Sequence, residues 1–421
     1  MVFGNKSTVR KLTLAWACAL VLISPAGAKE KPGIKNERSS YMTFRSLARA
    51  YMATGDYAKA QPLAEKALAL SKRENVADSA HCLCLLDLAY IHRNRGKFTD
   101  AEKMCKLGLQ LQERLYYKDH PYVAYTLRIL SSIYQGQGNY RRAQAALEEA
   151  IAIMLKSHLP DDETMGPFYV DTARVLTEQG YYEEAEVYYS KAMNLVNRSY
   201  GSDHPYTAAV LGSIARLYTL QERYDDAETL TSQTLAIQRR IYGPDHCCLI
   251  PTWLTIARIC QAKGDLERAE KLLQKALAAG QEQQGPEHPS LGKVLNALSE
   301  LYISEGEYAK AEGTCRQAVK LLEKSLGADN DVTAIAFHNL AQLYMHRGRY
   351  TDAENLCRRA LHALEDIFDR NHPSVVHVLE TMARVQDSLA NTTAAARLVY
   401  RPREKPANPT VASASTIKEY H

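Results

Sequence analysis

One short pattern recurs eight times along the chain at a nearly constant interval, and this periodicity limits the possible folds more than any other feature. The pattern is Gly-x-aromatic-x-x-Ala-Glu/Gln, with small departures such as "ERYDDAE" and "GDLERAE". The interval between successive alanines is 41 in the first case and 42 in the other six. A fixed period of this length predicts stacked copies of one supersecondary unit. The alanines are Ala60, Ala101, Ala143, Ala185, Ala227, Ala269, Ala311 and Ala353.

Each repeat has the apolar spacing of two paired helices. Twelve residues before each alanine lies a small residue, preceded by Leu, Ile or Thr and followed in five repeats by Tyr three positions later, which marks one face of a first helix, helix A. Apolar side chains at positions +4, +7 and +11 from the alanine mark a second helix, helix B, and the glycine between the two suits a tight turn. Because one pair cannot bury its own apolar face, the pairs are expected to stack into a continuous all-α solenoid. The small residues are Ala48, Ala89, Ser131, Ala173, Ala215, Ala257, Ser299 and Ala341.

The small-x2-Tyr and Gly-x-Tyr-x2-Ala patterns resemble the tetratricopeptide repeat (TPR), in the lengthened form of kinesin light chains. The resemblance covers residues 39 to 395 and recurs eight times in register. It implies a right-handed superhelical α-solenoid whose A helices line a concave groove that binds a segment of a partner protein. No heptad-rich segment that would join a motor heavy chain precedes the repeats, so we expect the fold and the binding mode but not the motor role.

The chain ends differ from the repeats. Residues 1–28 read as a cleaved signal peptide, because Lys6, Arg10 and Lys11 precede the apolar run "LTLAWACALVLIS" and an Ala26-Gly27-Ala28 cleavage site. The alternative, a retained membrane anchor, is disfavoured because a spanning helix needs about 20 apolar residues. We therefore expect export to the periplasm or the cell exterior. Residues 29–38 are a polar lead-in, the solenoid covers 39–400 with an eroded ninth unit around Ala395, and 401–421 have a disordered composition.

Charge and motifs disfavour several classes of function. The formal net charge of +4 falls to +1 without the three basic residues of the signal segment, which removes compositional support for nucleic-acid binding. The sequence has no Gly-rich phosphate loop, HExxH, GxSxG or CxxC motif. We therefore expect no catalytic residue, no cofactor and no metal, and a protein or peptide as the partner.

An Asp-His-Pro tripeptide precedes helix A in several units. It stands at 119 and 203, and its equivalents are "DDE", "DHC", "EHP", "DND" and "NHP". A triad repeated from loop to loop and lost in two of them does not behave as one catalytic or metal site. Proline suits the first helical turn, and the acidic residue before it is expected to accept a hydrogen bond from the helix end. We interpret the motif as structural.

Eight cysteines remain after the expected cleavage. Cys105, Cys315 and Cys357 occupy the position four after the repeat alanine, and Cys260 replaces the recurrent tyrosine, so these four are predicted to be buried apolar side chains. The pairs Cys82/Cys84 and Cys247-Cys248 do not follow the register. For them, disulfide, redox and metal-binding roles stay open.

The position directly after the small residue of helix A faces the groove in the resembling family. Here it carries one arginine in each of three consecutive repeats, Arg174, Arg216 and Arg258. Arginine suits carboxylate recognition, so an acidic segment is the expected ligand. The alternative is that these arginines pair with Asp171, Glu178 or other helix A carboxylates. The complete set of predicted groove residues is Arg128, Arg174, Arg216, Arg258, Tyr90, Trp253 and Asn339.

A second function also fits the sequence. In it the convex face and the helix ends mediate self-association or attachment to an envelope complex, and the groove stays empty.

Overall fold

The computed structural model describes residues 40–53, 56–73, 78–157 and 163–388. These residues form seventeen α-helices and two single-turn 3₁₀ helices, Glu163–Met165 and Cys247–Leu249, and the described ranges contain no β-strand. The helices are α1 Ser40–Ala53, α2 Tyr57–Arg73, α3 Asp78–Asn94, α4 Phe98–Tyr116, α5 Pro121–Gly136, α6 Tyr140–Ser157, α7 Gly166–Glu178, α8 Tyr182–Tyr200, α9 Pro205–Leu220, α10 Tyr224–Tyr242, α11 Ile250–Ala262, α12 Leu266–Gln284, α13 Pro289–Ser304, α14 Tyr308–Leu326, α15 Asp331–His346, α16 Tyr350–Glu365 and α17 Pro373–Ser388.

Odd-numbered helices are the predicted A helices and even-numbered helices are the B helices. Each A helix packs most extensively on the B helix that follows it, and each B helix packs next on the A helix of the following unit. The eight predicted pairs and the all-α solenoid are confirmed, with α17 as helix A of the ninth unit. The predicted signal peptide, lead-in, Ala395 and tail lie outside the described residues.

The repeating small residues lie where the helices approach each other most closely. Each of the eight repeat alanines is at most 1 % exposed, and the small residues of helix A are at most 2 % exposed. A bulkier side chain at such a contact costs about 1 to 3 kcal/mol through overpacking. The prediction for Cys105, Cys315, Cys357 and Cys260 is confirmed, since all four are buried and unpaired.

The turn between helices A and B has a left-handed backbone. Gly138 adopts φ +74° and Gly348 φ +72°, a region that other residues enter only with strain. In the fifth unit, whose sequence departs from the pattern, Glu222 takes this conformation at φ +61°. The glycine of the repeat is thus explained by backbone geometry.

The loop before helix A is capped by its histidine. In five loops the imidazole Nδ1 accepts a hydrogen bond from the main-chain N–H two residues later, as from Tyr206 to His204 at 3.1 Å. Asn330 caps α15 in the same way through Oδ1, which accepts from the N–H of Val332 at 3.0 Å. These side chains satisfy a backbone donor that the first helical turn leaves unpaired.

The prediction that the acidic residue of the motif caps the helix is wrong. Asp203 points away from the helix end and forms an exposed ion pair with Arg240 at 3.0 Å, near the end of helix B. Asp119 pairs with Lys156 and Glu287 with Lys324 at the equivalent places. The histidine directly follows the acidic residue, and its imidazole already accepts the hydrogen bond of the main-chain N–H at the helix start. The carboxylate therefore pairs with helix B and holds the loop against it.

Successive turns of the superhelix rest on each other. The Nε2–H of His288 donates to the carbonyl of Asn94 at 2.8 Å, and that of His372 donates to the carbonyl of Glu178 at 3.0 Å. Both contacts join residues 194 apart, a separation of between four and five repeat units. We call this row of contacts the interturn seam.

A third contact of the interturn seam is a buried hydrogen bond. Tyr140 donates through its hydroxyl to Asp331 Oδ2 at 2.8 Å, and its ring stacks on Phe368 with centroids 5.5 Å apart. Burial raises the pKa of Asp331, and burial together with Asp331 raises that of Tyr140. The loops before units 7, 8 and 9 therefore rest on the helix A to helix B turns of units 2, 3 and 4.

Candidate partner-binding surface inside the superhelix

Charged side chains of the A helices interact across units, which places them on the inner side of the curve. Burial lowers the pKa of Arg93 in unit 2, and Arg174 in unit 4 lowers it further. Lys293 in unit 7 acts on the pKa of Glu178 in unit 4. Units that are not adjacent influence each other in this way because their A helices face one interior.

A ladder of ion pairs joins neighbouring A helices on this inner side. Arg45 of α1 contacts Asp87 of α3 at 2.6 Å, and Arg128 of α5 contacts Asp171 of α7 at 3.1 Å. The partners stand 42 and 43 residues apart, so the ladder follows the repeat. Both carboxylates are buried, which removes much of the solvent screening that weakens surface ion pairs.

Arg174 and Arg216 have carboxylate partners within the chain. The Nη2 atom of Arg174 lies 2.9 Å from Oδ1 of Asp171, which stands one helical turn earlier in the same helix. Arg216 binds Glu178 of the preceding A helix through both terminal nitrogens, and Nη2 donates to Oε2 at 2.9 Å. The alternative that the sequence left open, pairing with Asp171 and Glu178, is what the structure contains.

The Arg216–Glu178 pair also sets the protonation of the carboxylate. Burial raises the pKa of Glu178, but Arg216 and its hydrogen bonds outweigh this effect, so the pKa is lowered overall. Glu178 in turn raises the pKa of Arg216. Both groups are charged at neutral pH, and their opposite charges compensate each other within the chain.

Three other cations of the inner side are weakly paired or unpaired. Arg258 reaches Glu300 only at 3.9 Å, and its side chain is 53 % exposed. Within the described ranges, neither Arg93 nor Lys293 has a carboxylate oxygen within 4.0 Å. These three side chains therefore have capacity for an external carboxylate.

Arg93 and Lys293 were not among the predicted groove residues, although the sequence contains a signal for them. Arg93 stands three residues after Tyr90, and Lys293 stands seven before Glu300. Spacings of three and seven return to the same helical face as the predicted inner position. A search of the same helical face one turn after the inner position finds Arg93, and a search two turns before it finds Lys293.

Two predicted groove residues are corrected by their burial. Trp253 is 0 % exposed, because it lies four residues before the small residue Ala257 and shares its packed face. Asn339 is buried too, and its amide donates to the carbonyl of Asn296 at 3.2 Å. Neither side chain is accessible to a partner, so their prediction as binding residues is wrong.

Tyr90 is the predicted aromatic residue that stays partly exposed. Its ring lies 6.3 Å from that of Tyr57. It follows Ala89 on helix A, and Arg93 lies one turn further along the same helix. An aromatic ring and a cation therefore share one helical face in unit 2.

Among the described helices, none is both long and apolar enough to cross a lipid bilayer.

Models of tetratricopeptide repeats match most of the chain. The MalT-like TPR region matches residues 115–288. Four further tetratricopeptide repeat models match residues 43–77, 82–122, 254–325 and 332–401. No curated protein matches the sequence significantly.

Solved structures resemble the chain at low sequence identity. The Rap protein complexed with Competence and Sporulation Factor is 14 % identical, covers 84 % of this chain and 99 % of its own, and has a TM-score of 0.52. BtubC (BKLC) from P. vanneervenii is 20 % identical over 58 % of this chain and 93 % of its own, with a TM-score of 0.41. The nearly identical TPR-like repeats assigned to a Podosopora anserina kinesin light chain are 22 % identical over 49 % of this chain and 98 % of their own, with a TM-score of 0.38. Together with the eight helical pairs, the family models show that the chain is a tetratricopeptide-repeat protein.

Proposed function

We propose that the protein is a non-enzymatic scaffold that holds an acidic segment of a partner protein inside its superhelix. The observation that carries this proposal is that several inner cations lack a close carboxylate, among them Arg93, Arg258 and Lys293. Arg174 and Arg216 do not belong to this set, because Asp171 and Glu178 compensate their charges within the chain.

The charge of the inner helices supports an acidic ligand. The A helices from α1 to α15 carry eight Arg or Lys and six Asp or Glu. One of the six, Asp331, is buried with a raised pKa and bonds Tyr140. A concave wall with an excess of one sign focuses its field and raises the local concentration of oppositely charged ligands.

The fold supports a protein ligand. Tetratricopeptide repeats present an extended concave surface because each unit is rotated slightly from its neighbour. The similar Rap protein structure is a complex with Competence and Sporulation Factor, so a solenoid of this shape accommodates a bound factor.

Charge reversal of the inner cations tests the proposal. The triple variant Arg93→Glu, Arg258→Glu and Lys293→Glu is expected to lose binding of a labelled peptide rich in Asp and Glu, because three attractive contacts become repulsive. The matched control is Lys103→Glu, Lys191→Glu and Lys320→Glu, which makes the same change of net charge on exposed positions of helices B. Fluorescence anisotropy measures binding, and circular dichroism checks that both variants fold.

The control variant is expected to keep wild-type affinity. The wild-type protein is expected to bind a peptide with Asn and Gln in place of Asp and Glu at least about tenfold more weakly, a difference of about 1.4 kcal/mol in binding free energy. Equal loss of binding in both triple variants would show that only net charge matters. Unchanged binding in the inner variant would refute capture inside the superhelix.

Self-association through the convex face is the second candidate. Large apolar side chains on helices B are exposed, with Val187 of α8 at 54 %, and Leu107 of α4 and Leu155 of α6 also open. Light scattering over a range of concentrations distinguishes the candidates, since only this one predicts a concentration-dependent oligomer that Val187→Lys weakens.

We also propose export through residues 1–28. The support is the charged start, the apolar run and the small residues before Lys29. N-terminal sequencing of the protein from its native host is expected to begin at Lys29, whereas an intact Met1 would contradict cleavage.

A further inference from the structure

One inter-unit loop differs from the others in chemistry. The loops before α5, α9, α13 and α17 read His-Pro, and the proline begins the helix. The loop before α11 reads His246-Cys247-Cys248 instead, and a 3₁₀ turn over Cys247–Leu249 delays the start of α11 to Ile250. The two thiols thus replace residues that the repeat uses to start helix A.

Neither of these two cysteines follows the repeat register. The buried cysteines that follow the register occupy the apolar positions of helices A and B. Cys247 and Cys248 instead lie in the 3₁₀ turn before α11, where Cys247 packs against the hydrophobic core. Cys247 is buried with 8 % exposure, and Cys248 is partly exposed. Both thiols are free.

The donor atoms of the loop converge. A ring nitrogen of His246 and the Sγ atoms of Cys247 and Cys248 all lie within 4.8 Å of one another. His246 Nδ1 is 4.0 Å from Cys247 Sγ. Within the part of the chain that the structure describes, this is the one group of three or more His, Cys, Asp or Glu donors with such proximity.

The separations suit one small ion. Bonds of about 2.3 Å to sulfur and about 2.0 Å to nitrogen place the donors of a tetrahedral site roughly 3.5 to 4 Å apart. Small side-chain rotations close the remaining difference. We infer that His246, Cys247 and Cys248 form a binding site for a thiophilic metal ion of the Zn²⁺ class.

The chemistry of the donors defines the ligand class. Two thiolates and an imidazole favour Zn²⁺, Cd²⁺ or Cu⁺ over Mg²⁺ or Ca²⁺, which prefer oxygen ligands. Binding of Zn²⁺ forms two Zn–S bonds, and each thiol gives its proton to the solvent, so no oxidant or reductant takes part. Three protein donors leave a fourth position of a tetrahedral ion for water.

The surroundings hold the site in place. The N–H of Cys247 donates to Gln283 Oε1 at 2.9 Å, and the side-chain amide of Gln283 donates to the carbonyl of Asp245 at 2.9 Å. The His246 ring stacks on Tyr242 with centroids 5.3 Å apart. These contacts fix the loop against α10 and α12. Because His246 Nδ1 accepts the N–H of Cys248 at 3.1 Å, coordination through Nδ1 replaces this cap bond.

Direct titration of the reduced full-length protein with Zn²⁺ and with Cd²⁺ tests the site. We expect one equivalent to bind, with sulfur-to-cadmium charge-transfer absorption in the ultraviolet. Cys247→Ser and Cys248→Ser are expected to lose that absorption. Cys84→Ala, which alters a buried cysteine pair in α3, is expected to keep it.

The variant His246→Asn tests the role of the imidazole as a metal ligand separately from its role as a helix cap. Asn330 already caps α15 at the equivalent position, so asparagine is expected to keep the fold. Loss of a ligand is expected to weaken binding by at least about tenfold, since even outer-shell partners are worth that much. Alkylation followed by peptide mass spectrometry adds a readout without mutation, in which bound Cd²⁺ protects Cys247 and Cys248 in the wild-type protein.

Absence of a bound equivalent in the folded, reduced wild type would overturn the inference. So would full binding by the double variant Cys247→Ser/Cys248→Ser, or a lack of alkylation protection at both cysteines.

Discussion

At the scale of single residues, the histidine before helix A acts as a cap, and this role makes a prediction. His204→Ala is expected to lower the free energy of unfolding by about 1 kcal/mol, because it leaves the N–H of Tyr206 unsatisfied. His204→Asn is expected to cost much less, since Asn330 caps α15 with the same geometry. Urea unfolding measures both variants, and equal losses would show that the imidazole does not act as a cap.

The sequence predicted that the Asp-His-Pro motif is structural but assigned the cap to the wrong residue. Asp is a stronger general capping residue than His, so propensity favoured Asp203. The structure gives the role to His204 because its Nδ1 reaches the N–H two residues on. A similar limit applied to Arg174 and Arg216, whose partners Asp171 and Glu178 were visible in the sequence while the choice between internal and external pairing depended on side-chain conformation.

At the scale of the helices, the capping histidines make stability depend on pH. Burial lowers the pKa of His120, His204, His288 and His372 below the ordinary 6.5. The unfolded chain therefore binds more protons than the folded one below pH 6.5, and stability falls as the pH drops through that value. Protonation also blocks Nδ1 as an acceptor.

The double variant His288→Asn/His372→Asn tests this dependence. Asparagine does not titrate in this range, so the urea midpoint of the variant is expected to fall less than that of the wild type between pH 7.5 and pH 5.5. An identical fall in both proteins would assign the acid sensitivity to other groups. The comparison uses the same buffer and ionic strength throughout.

At the scale of the whole molecule, the interturn seam holds the superhelix closed. Gly96 adopts φ +72°, and a Cβ there would lie 2.4 Å from Pro289 Cδ of the next turn. Gly348 has the same φ, with nothing within 4 Å of its Cβ position. Both Gly→Ala variants share the backbone strain, so the difference between their free energies of unfolding measures the effect of the contact with Pro289 alone.

Gly96→Ala is expected to be about 1 to 3 kcal/mol less stable than Gly348→Ala, through overpacking at Pro289. Small-angle scattering is expected to show a larger radius of gyration for Gly96→Ala. Equal stability and equal size would mean that the seam does not hold the turns together in solution.

The contacts of the interturn seam could not be predicted from the sequence. The repeat period predicted every helical pair, since each unit packs on its neighbours through Ala60, Ala101 and their equivalents. Contacts such as that between His288 and Asn94 join residues 194 apart, and they depend on the small rotation between units summed over more than four of them. A local pattern does not encode that sum. The helical face of Arg93 and Lys293, by contrast, follows from spacings of three and seven residues that the sequence already contains.

The central claim is that the partner lies inside the superhelix, and site-specific photo-crosslinking tests it most directly. A photoreactive amino acid replaces Ser132, which occupies the inner position of α5, or Val187, which is exposed on helix B α8. We predict that the Asp- and Glu-rich peptide crosslinks to position 132 and not to position 187. Crosslinking at 187 alone, whether to the peptide or to a second copy of the chain, would contradict the account.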